Sequence, residues 1–264
     1  MVDVKYPVSG SIRAWWAPAN GLANPDAPTV AELDAALDIS DAISWNDKDF
    51  GIQASNTVSD PAITAKGNVQ NRGAAQYGGS FSFYYPGVFN DNSNLYSLVF
   101  DQLRLPGTAG WIIVRVDGLE LAQPTGTAAN PGTDPVAGDL VSTFKVETAG
   151  YAEAITGEEA FRYTVSFLPK GEVKTMALVR ASATGVAPVV SGPATVAPGE
   201  SIVLNATLVG RKYTRGLRWS TSDPDVATVS RNAVVTGASA GTVDIIATDP
   251  ATGTSSVAHE VTVA

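Results

Sequence analysis

Three places in this 264-residue sequence hold side chains that could do chemistry. Asp47-Lys48-Asp49 and Glu158-Glu159 offer carboxylates for a divalent cation or for acid–base work, and His259 offers an imidazole. None has the company such chemistry needs. No ligand set converges on either acidic cluster in the sequence, so both read as solvated surface charge. His259 is the only histidine, which excludes His-based triads and His-rich zinc sites. The absence of cysteine removes disulfides, thiol nucleophiles and thiolate metal sites together. Carboxylate-only or lysine-based catalysis stays open, but no motif supports it. The expectation is no catalytic residue, no cofactor and no metal.

The composition describes the scaffold instead. The chain is 44% hydrophobic and 16% charged, with 25 glycines and 16 prolines, a folded and turn-rich balance that leans to β structure. No apolar run approaches the ~20 residues of a membrane span, so no membrane partner is expected. The opening MVDVKYPVSGSIRAWW lacks the basic start and apolar core of a signal peptide, so folding in a cytoplasm is expected. The net charge of −9 is uneven: residues 1–185 carry 12 Lys/Arg against 20 Asp/Glu, and residues 186–264 carry 5 against 6. An acidic chain does not capture nucleic acid, yet it suits a surface past which DNA slides without sticking.

Alternation and punctuation give the elements. A short strand is expected at Ser11–Trp16, and then a Pro/Asn/Ala loop. Thr29 and Glu32 have capping-box spacing and head a helix to about Leu37, with Val30, Leu33 and Leu37 on its buried face. Ile43–Gly79 is polar and poorly periodic, and reads as a long excursion with at most two ragged strands. Ser80–Tyr85 alternates as a half-buried strand. Asp91, Asn92 or Ser93 caps a helix whose stripe is Leu95, Leu98, Val99 and Leu103, and Pro106-Gly107 stops it. Trp111–Val116 is a strand ended by an Asp117-Gly118 turn, and Gln123–Pro135 is a loop. Leu140–Glu147 and Phe161–Leu168 are strands, the second burying Phe161, Tyr163, Val165 and Phe167, and Thr175–Val179 adds a last one.

From Ala181 the sequence turns small, uncharged and Pro/Gly-punctuated, as a connector does. Strands then recur at Ser201–Val209, Leu217–Thr221, Val226–Val229, Val234–Thr236, Thr242–Thr248 and Val257–Val263, the spacing of a small β-sandwich. Leu217, Trp219, Ala227 and Val229 are its expected core residues. Trp219-Ser220, Ser222–Val229, Val235-Thr236-Gly237 and Ala240–Ile245 follow the pattern of the bacterial Ig-like group-2 domain, which residues 188–264 resemble. Where that pattern has glycine this chain has Ala233, and Asn232 is expected to take the left-handed turn position instead.

Residues 1–180 resemble the major tail (tail tube) proteins of long-tailed phages. The residues carrying this are Pro28–Leu33, the Gly79–Tyr85 strand, Asn94-Leu95-Tyr96-Ser97-Leu98, and Leu105-Pro106-Gly107-Thr108 with Gly110–Arg115. Ala137-Gly138-Asp139 before a strand and the Phe161–Phe167 strand add to it. The expected organisation is a tail tube domain at 1–180, a linker at 181–187 and an Ig-like domain at 188–264. The fold class is mainly β: a β-sandwich or barrel with a flanking α-helix, followed by an Ig-like sandwich.

The resemblance implies a structural virion protein, not an enzyme. Its subunits would join into hexameric rings stacked around a tape-measure protein. Further partners would be the tail terminator and baseplate or tail-tip proteins, with genomic DNA passing through unbound. Assembly in the host cytoplasm and residence in the phage tail are implied with it. The Trp45–Gly79 excursion is the candidate inter-ring contact, with Trp45, Asp47, Lys48, Phe50, Asn71 and Arg72 as its residues; a plain surface loop is the alternative. A bacterial cell-surface or adhesin-type protein carrying an Ig-like module is the competing reading.

Overall fold

The computed structural model describes residues 13–53, 57–59, 70–72, 76–115, 134–154, 161–182 and 185–264. The Asp117-Gly118 turn, most of the Gln123–Pro135 loop and Glu158-Glu159 lie outside them. The chain divides into two units. The second comprises Asp26–Ala31, Pro135–Asp139 and Leu178–Ala264, and the first is the remainder.

The first unit is built on one sheet. Its strands are β1 (Arg13–Pro18), β2 (Leu37–Asp38), β3 (Ile43–Gln53), β6 (Gln76–Tyr84), β7 (Ala109–Arg115), β8 (Leu140–Ala154) and β9 (Arg162–Leu178), with β4 (Thr57–Ser59) and β5 (Gln70–Arg72) forming a separate small hairpin. The order across the sheet is β2-β1-β7-β8-β9-β6-β3. Two helices accompany it, α1 (Val30–Ala35) and α2 (Leu95–Leu103). The class is mainly β, as the sequence implied.

One sheet face carries the core. Pairing aligns Trp16 with Ile112 and Ile112 with Phe144, while Phe83 faces Tyr163 and Phe81 faces Val165. These side chains cluster with Val99, Phe100 and Leu103 of α2. Aromatic pairs dominate: Phe83 stacks on Tyr163 at 5.4 Å, and Phe100 meets Tyr163 edge-on at 5.1 Å. The opposite face of β1, β7 and β8 is buried too, at Trp15, Trp111, Ile113 and Val141. The segment after β1 lies against it, because Trp111 Nε1 donates to the Ala19 carbonyl and the Thr143 hydroxyl to the Pro25 carbonyl. Two buried faces explain why WW and WIIV run without alternation.

The Tyr163 hydroxyl is buried with no hydrogen-bond partner among the described residues. Burial, then the charge of Asp101, then Tyr85 push its phenol above the ordinary range. A stranded buried hydroxyl costs about 1–3 kcal/mol, which phenylalanine avoids in the same volume. Tyr163→Phe is therefore expected to raise stability by about 1 kcal/mol in urea unfolding, with an unchanged m-value.

Several local expectations are corrected. Helix α1 stops at Ala35 because Leu37-Asp38 pairs with Trp15 and Trp16. The cap of α2 is Asn94, whose side chain accepts from Tyr96 and Ser97 N–H. Asp91, further upstream, closes its own turn on Ser93. The buried stripe of α2 runs through Ser97, Val99, Phe100 and Leu103, leaving Leu98 half-buried. Phe161 is 64% exposed and precedes β9, although Tyr163, Val165 and Phe167 are buried as expected. Thr175–Leu178 continues β9 rather than starting a new strand. Gly171 and Met176, at φ 93° and 59°, interrupt the alternation on which that division rested.

In the second unit the Ig-like portion contains β10 (Val189–Ser191), β11 (Thr195–Val196), β12 (Ser201–Val203), β13 (Asn205–Leu208), β14 (Arg211–Lys212), β15 (Arg218–Thr221), β16 (Ala227–Val229), β17 (Val234–Gly237), β18 (Gly241–Thr248) and β19 (His259–Val263). They form sheets of order β10-β13-β14, β11-β19-β18-β15 and β12-β17-β16. The core is Val196, Leu204, Ala227, Ala233, Val235, Val243, Ile245, Val261 and Val263. Ala233 itself, at φ 61° and fully buried, takes the left-handed turn position that was assigned to Asn232. Its methyl fills the core, so the strain is held by packing.

Candidate functional site

The feature of the first unit best suited to a contact is a sheet edge. β3 is the last strand in order and pairs with β6 from Lys48↔Phe81 to Gln53↔Gln76, with a register shift between Ile43 and Lys48. That irregularity hides the strand from a period-two reading, so an eleven-residue strand looked like loop. The crossing is tight. Gly79, at φ 122°, sits so close to Asp49 that an added Cβ would overlap its carbonyl oxygen. The outer side of β3 has no pairing strand among the described residues. An unpaired edge is a template for another chain.

The named contact residues divide between this strand and the hairpin beside it in sequence. Trp45, Asp47, Lys48 and Phe50 lie on β3, and Asn71 and Arg72 on β5. Phe50 packs its ring against Phe81 at 5.0 Å, Phe144 at 5.1 Å and Phe167 at 5.7 Å, anchoring the edge to the core. Two positions on, Ile52 is an apolar side chain left 58% exposed. Sequence reading did not single out Ile52; its signal was an isoleucine inside an otherwise polar run.

The Leu105–Arg115 motif is a clamp between α2 and the sheet. Gly107, at φ 82°, donates its N–H to the Thr148 carbonyl, and Thr148 N–H donates to the Thr108 carbonyl. The hydroxyls of Thr108 and Thr148 both donate to the Leu105 carbonyl. Gly110 then lets β7 pass against Trp16. On the neighbouring hairpin, Lys145–Glu172 at 3.2 Å and Lys170–Glu147 at 2.7 Å neutralise one another. The acidic excess of the first domain therefore resides in other carboxylates.

In the second unit, Ala227 is in the sandwich core, Trp219 and Val229 pack partly buried against it, and Leu217 is buried. The Trp219 indole N–H donates to the Thr214 carbonyl at 3.0 Å. A second feature is a fully enclosed ion pair, Arg180 Nη2 to Asp249 Oδ2 at 2.6 Å, with side chains 2% and 1% exposed. The backbone of Arg180 is held by Val30 N–H to its carbonyl and by its own N–H to the Pro28 carbonyl. Asp249 is held from the other side: its carboxylate accepts from Ala251 N–H and the Thr252 hydroxyl. Gly185 passes this turn so closely that a Cβ would collide with Thr254. Tyr213 lies near both charges; burial raises its phenol first, Arg180 opposes that, and Asp249 and Asp26 add to it. Nothing in the sequence pattern announced this pair, because its members stand 69 positions apart.

Among the described residues no group of three or more His, Asp or Glu could hold a metal ion, and no helix is long and apolar enough to cross a membrane. An antiparallel sheet with a flanking helix, together with an Ig-like sandwich in the second unit, defines a mainly β protein. The family model for phage tail tube proteins matches residues 1–182, and the chain belongs to that family. The model of the bacterial Ig-like domain (group 2) matches residues 189–261. This is a structural tail tube protein with an Ig-like domain, a component of the virion tail.

Among curated proteins, the 3-O-alpha-D-galactosyl-alpha-L-arabinofuranosidase of Bifidobacterium longum subsp. longum is 42% identical over 74 residues. The match takes in 28% of this chain and 6% of that enzyme, so the chain spans a small fraction of the relative's length.

Proposed function

We propose that this protein forms hexameric rings that stack around a tape-measure protein and, once that protein leaves, conduct the genome. The observation that carries the reading is the outer edge of β3, unpaired among the described residues, in a chain of the tail tube family. In a closed ring each such edge is covered by the next subunit, so a liability of the monomer becomes the interface. Beyond the β3 edge, the same Trp45–Gly79 segment also supplies the contact between stacked rings. The tail terminator and the baseplate or tail-tip proteins close the two ends, and assembly takes place in the host cytoplasm.

The charge supports the conduit role. Residues 1–185 carry 20 acidic against 12 basic side chains, and carboxylates facing a lumen repel phosphates, so DNA moves without being held. The first domain ends at residue 180, residues 181–187 connect, and the Ig-like domain from 188 decorates the outside of the tube.

Negative-stain microscopy of the purified protein tests this directly. Tubes or six-membered rings are expected, and a strict monomer at every concentration and salt would refute the reading. Ile52→Lys places a charge on the open edge, and is expected to shift the protein from tubes to monomer with an unchanged far-UV spectrum.

A further inference from the structure

We propose that the Ig-like sandwich folds as one cooperative body with three segments that precede it in sequence, and so clips those segments together. The second unit gathers Asp26–Ala31, Pro135–Asp139 and Leu178–Ala264, whereas the Ig-like match begins at residue 189. The first two segments, and the third as far as residue 182, fall inside the tail tube match. The boundary of sequence likeness is therefore not the boundary of the folding unit.

Backbone hydrogen bonds tie the segments to one another. Arg180 N–H donates to the Pro28 carbonyl at 2.8 Å and Val30 N–H to the Arg180 carbonyl at 2.9 Å, around a parallel bridge between Thr29 and Arg180. At the preceding residue, Gly138 N–H donates to the Val179 carbonyl and Val179 N–H to the Asp139 carbonyl, both at 2.9 Å. Val179-Arg180 is the middle of this three-part web. Thr29, Asp139, Leu178, Val179 and Arg180 are all buried. Pairings this short are not stable alone in water, so the web needs a body to lie on.

The sandwich meets the web and its continuation at three points. Asp249 follows β18 directly, and β18 carries the core residues Val243 and Ile245. The turn presenting its carboxylate to Arg180 is closed on itself: Asp249 N–H donates to the Thr254 carbonyl and Gly253 N–H to the Asp249 carbonyl, each at 2.8 Å. The bend between β13 and β14 is the second point, where a Cβ on Gly138 would come within 3.3 Å of the Val209 carbonyl oxygen. Val209 holds φ 52° there, a costly conformation for a β-branched residue that the surroundings must maintain. The third is Gly185, passing against Thr252 and Thr254.

The buried ion pair fixes the register of this docking. Undocking hydrates both charges, so the pair adds little net attraction, whereas a misplaced sandwich would leave each charge buried alone. The attraction comes from apolar burial, to which Ala27, Leu178 and Val179 contribute. The inference goes beyond tube formation and stands whether or not rings form.

Amide hydrogen exchange of the full chain, read by mass spectrometry, tests it. Peptides covering residues 26–31, 135–139 and 178–182 should open with the same free energy as β18. Ile245→Ala lies in the sandwich core, and should speed exchange at β18 and at all three segments by the same factor, about tenfold or more, with β7 of the first unit unchanged. Ile245→Val should do so by about two- to tenfold, and serves if the alanine variant does not fold. Val179→Ala, placed in the web, should speed β18 in return, since coupling is reciprocal. Faster exchange at β18 with the three segments unmoved would overturn the proposal. So would equal acceleration of β7, because the coupling would then belong to the whole chain.

Discussion

Asp249→Asn is expected to destabilise the second unit by about 3–5 kcal/mol, because it leaves the Arg180 guanidinium buried without a counter-charge. The geometry makes the effect large. Both side chains are almost wholly enclosed, and the pair is joined by one short bond of 2.6 Å. Arg180 Nε and Nη1 have no other partner among the described residues, so no neighbour takes over when the carboxylate is lost. Asparagine keeps the size of aspartate and one of its acceptors, which serves the Ala251 N–H. The loss is therefore electrostatic rather than a cavity. Calorimetry of the full chain should show the transition of this unit lowered by more than about 10 °C. Replacing both partners, Arg180→Met with Asp249→Leu, should recover only part of the loss: an apolar pair needs no desolvation, but Ala251 N–H and the Thr252 hydroxyl lose their acceptor. A single variant within about 1 kcal/mol of the parent would mean that water reaches the pair.

This pair also bears on where the second unit begins. Arg180 lies two residues beyond the end of β9 and within the first family match, which runs to residue 182, yet it is buried in the same unit as Asp249. The sequence at Ala181–Pro188 looks like a free connector because it is small, uncharged and punctuated. Small residues serve equally where a chain passes close to another segment, and Gly185 against Thr254 is such a passage. Composition does not distinguish the two uses.

Legibility followed periodicity. Phe81 and Phe83, and Tyr163, Val165 and Phe167, were readable because one face of their strands is wet and the other dry. Leu217–Val229 was readable for the same reason, with its Ser-Asp-Pro turn marking the reversal. β3 was not, since its register shifts between Ile43 and Lys48 and polar residues dominate an edge. The cap of α2 was missed by one position because Asp91, Asn92, Ser93 and Asn94 are all competent caps, and only geometry selects among them.

Gly110→Ala is expected to cost about 3 kcal/mol or more in the first unit, well above Gly107→Ala in the same motif. The two glycines fail for different reasons. Gly107 needs its positive φ of 82° but has open space around it, so alanine meets only backbone strain of about 1–2 kcal/mol. Gly110 has an ordinary φ but no room. A Cβ there would lie 2.5 Å from Trp16 Cη2 and 2.6 Å from the Ala17 carbonyl oxygen. Neither neighbour can yield cheaply. The Trp16 ring is buried against the core, with Phe167 at 6.3 Å, and Ala17 is held in register between β1 and β7. Overpacking alone costs about 1–3 kcal/mol, and contact with backbone adds to it. Urea unfolding should rank the variants in that order. Trp16→Leu added to Gly110→Ala should restore part of the loss if the ring is the obstacle, and none if the backbone is. Because β7 lies between β1 and β8, a failure at Gly110 separates the strands on either side, and assembly should be lost with the fold rather than independently of it.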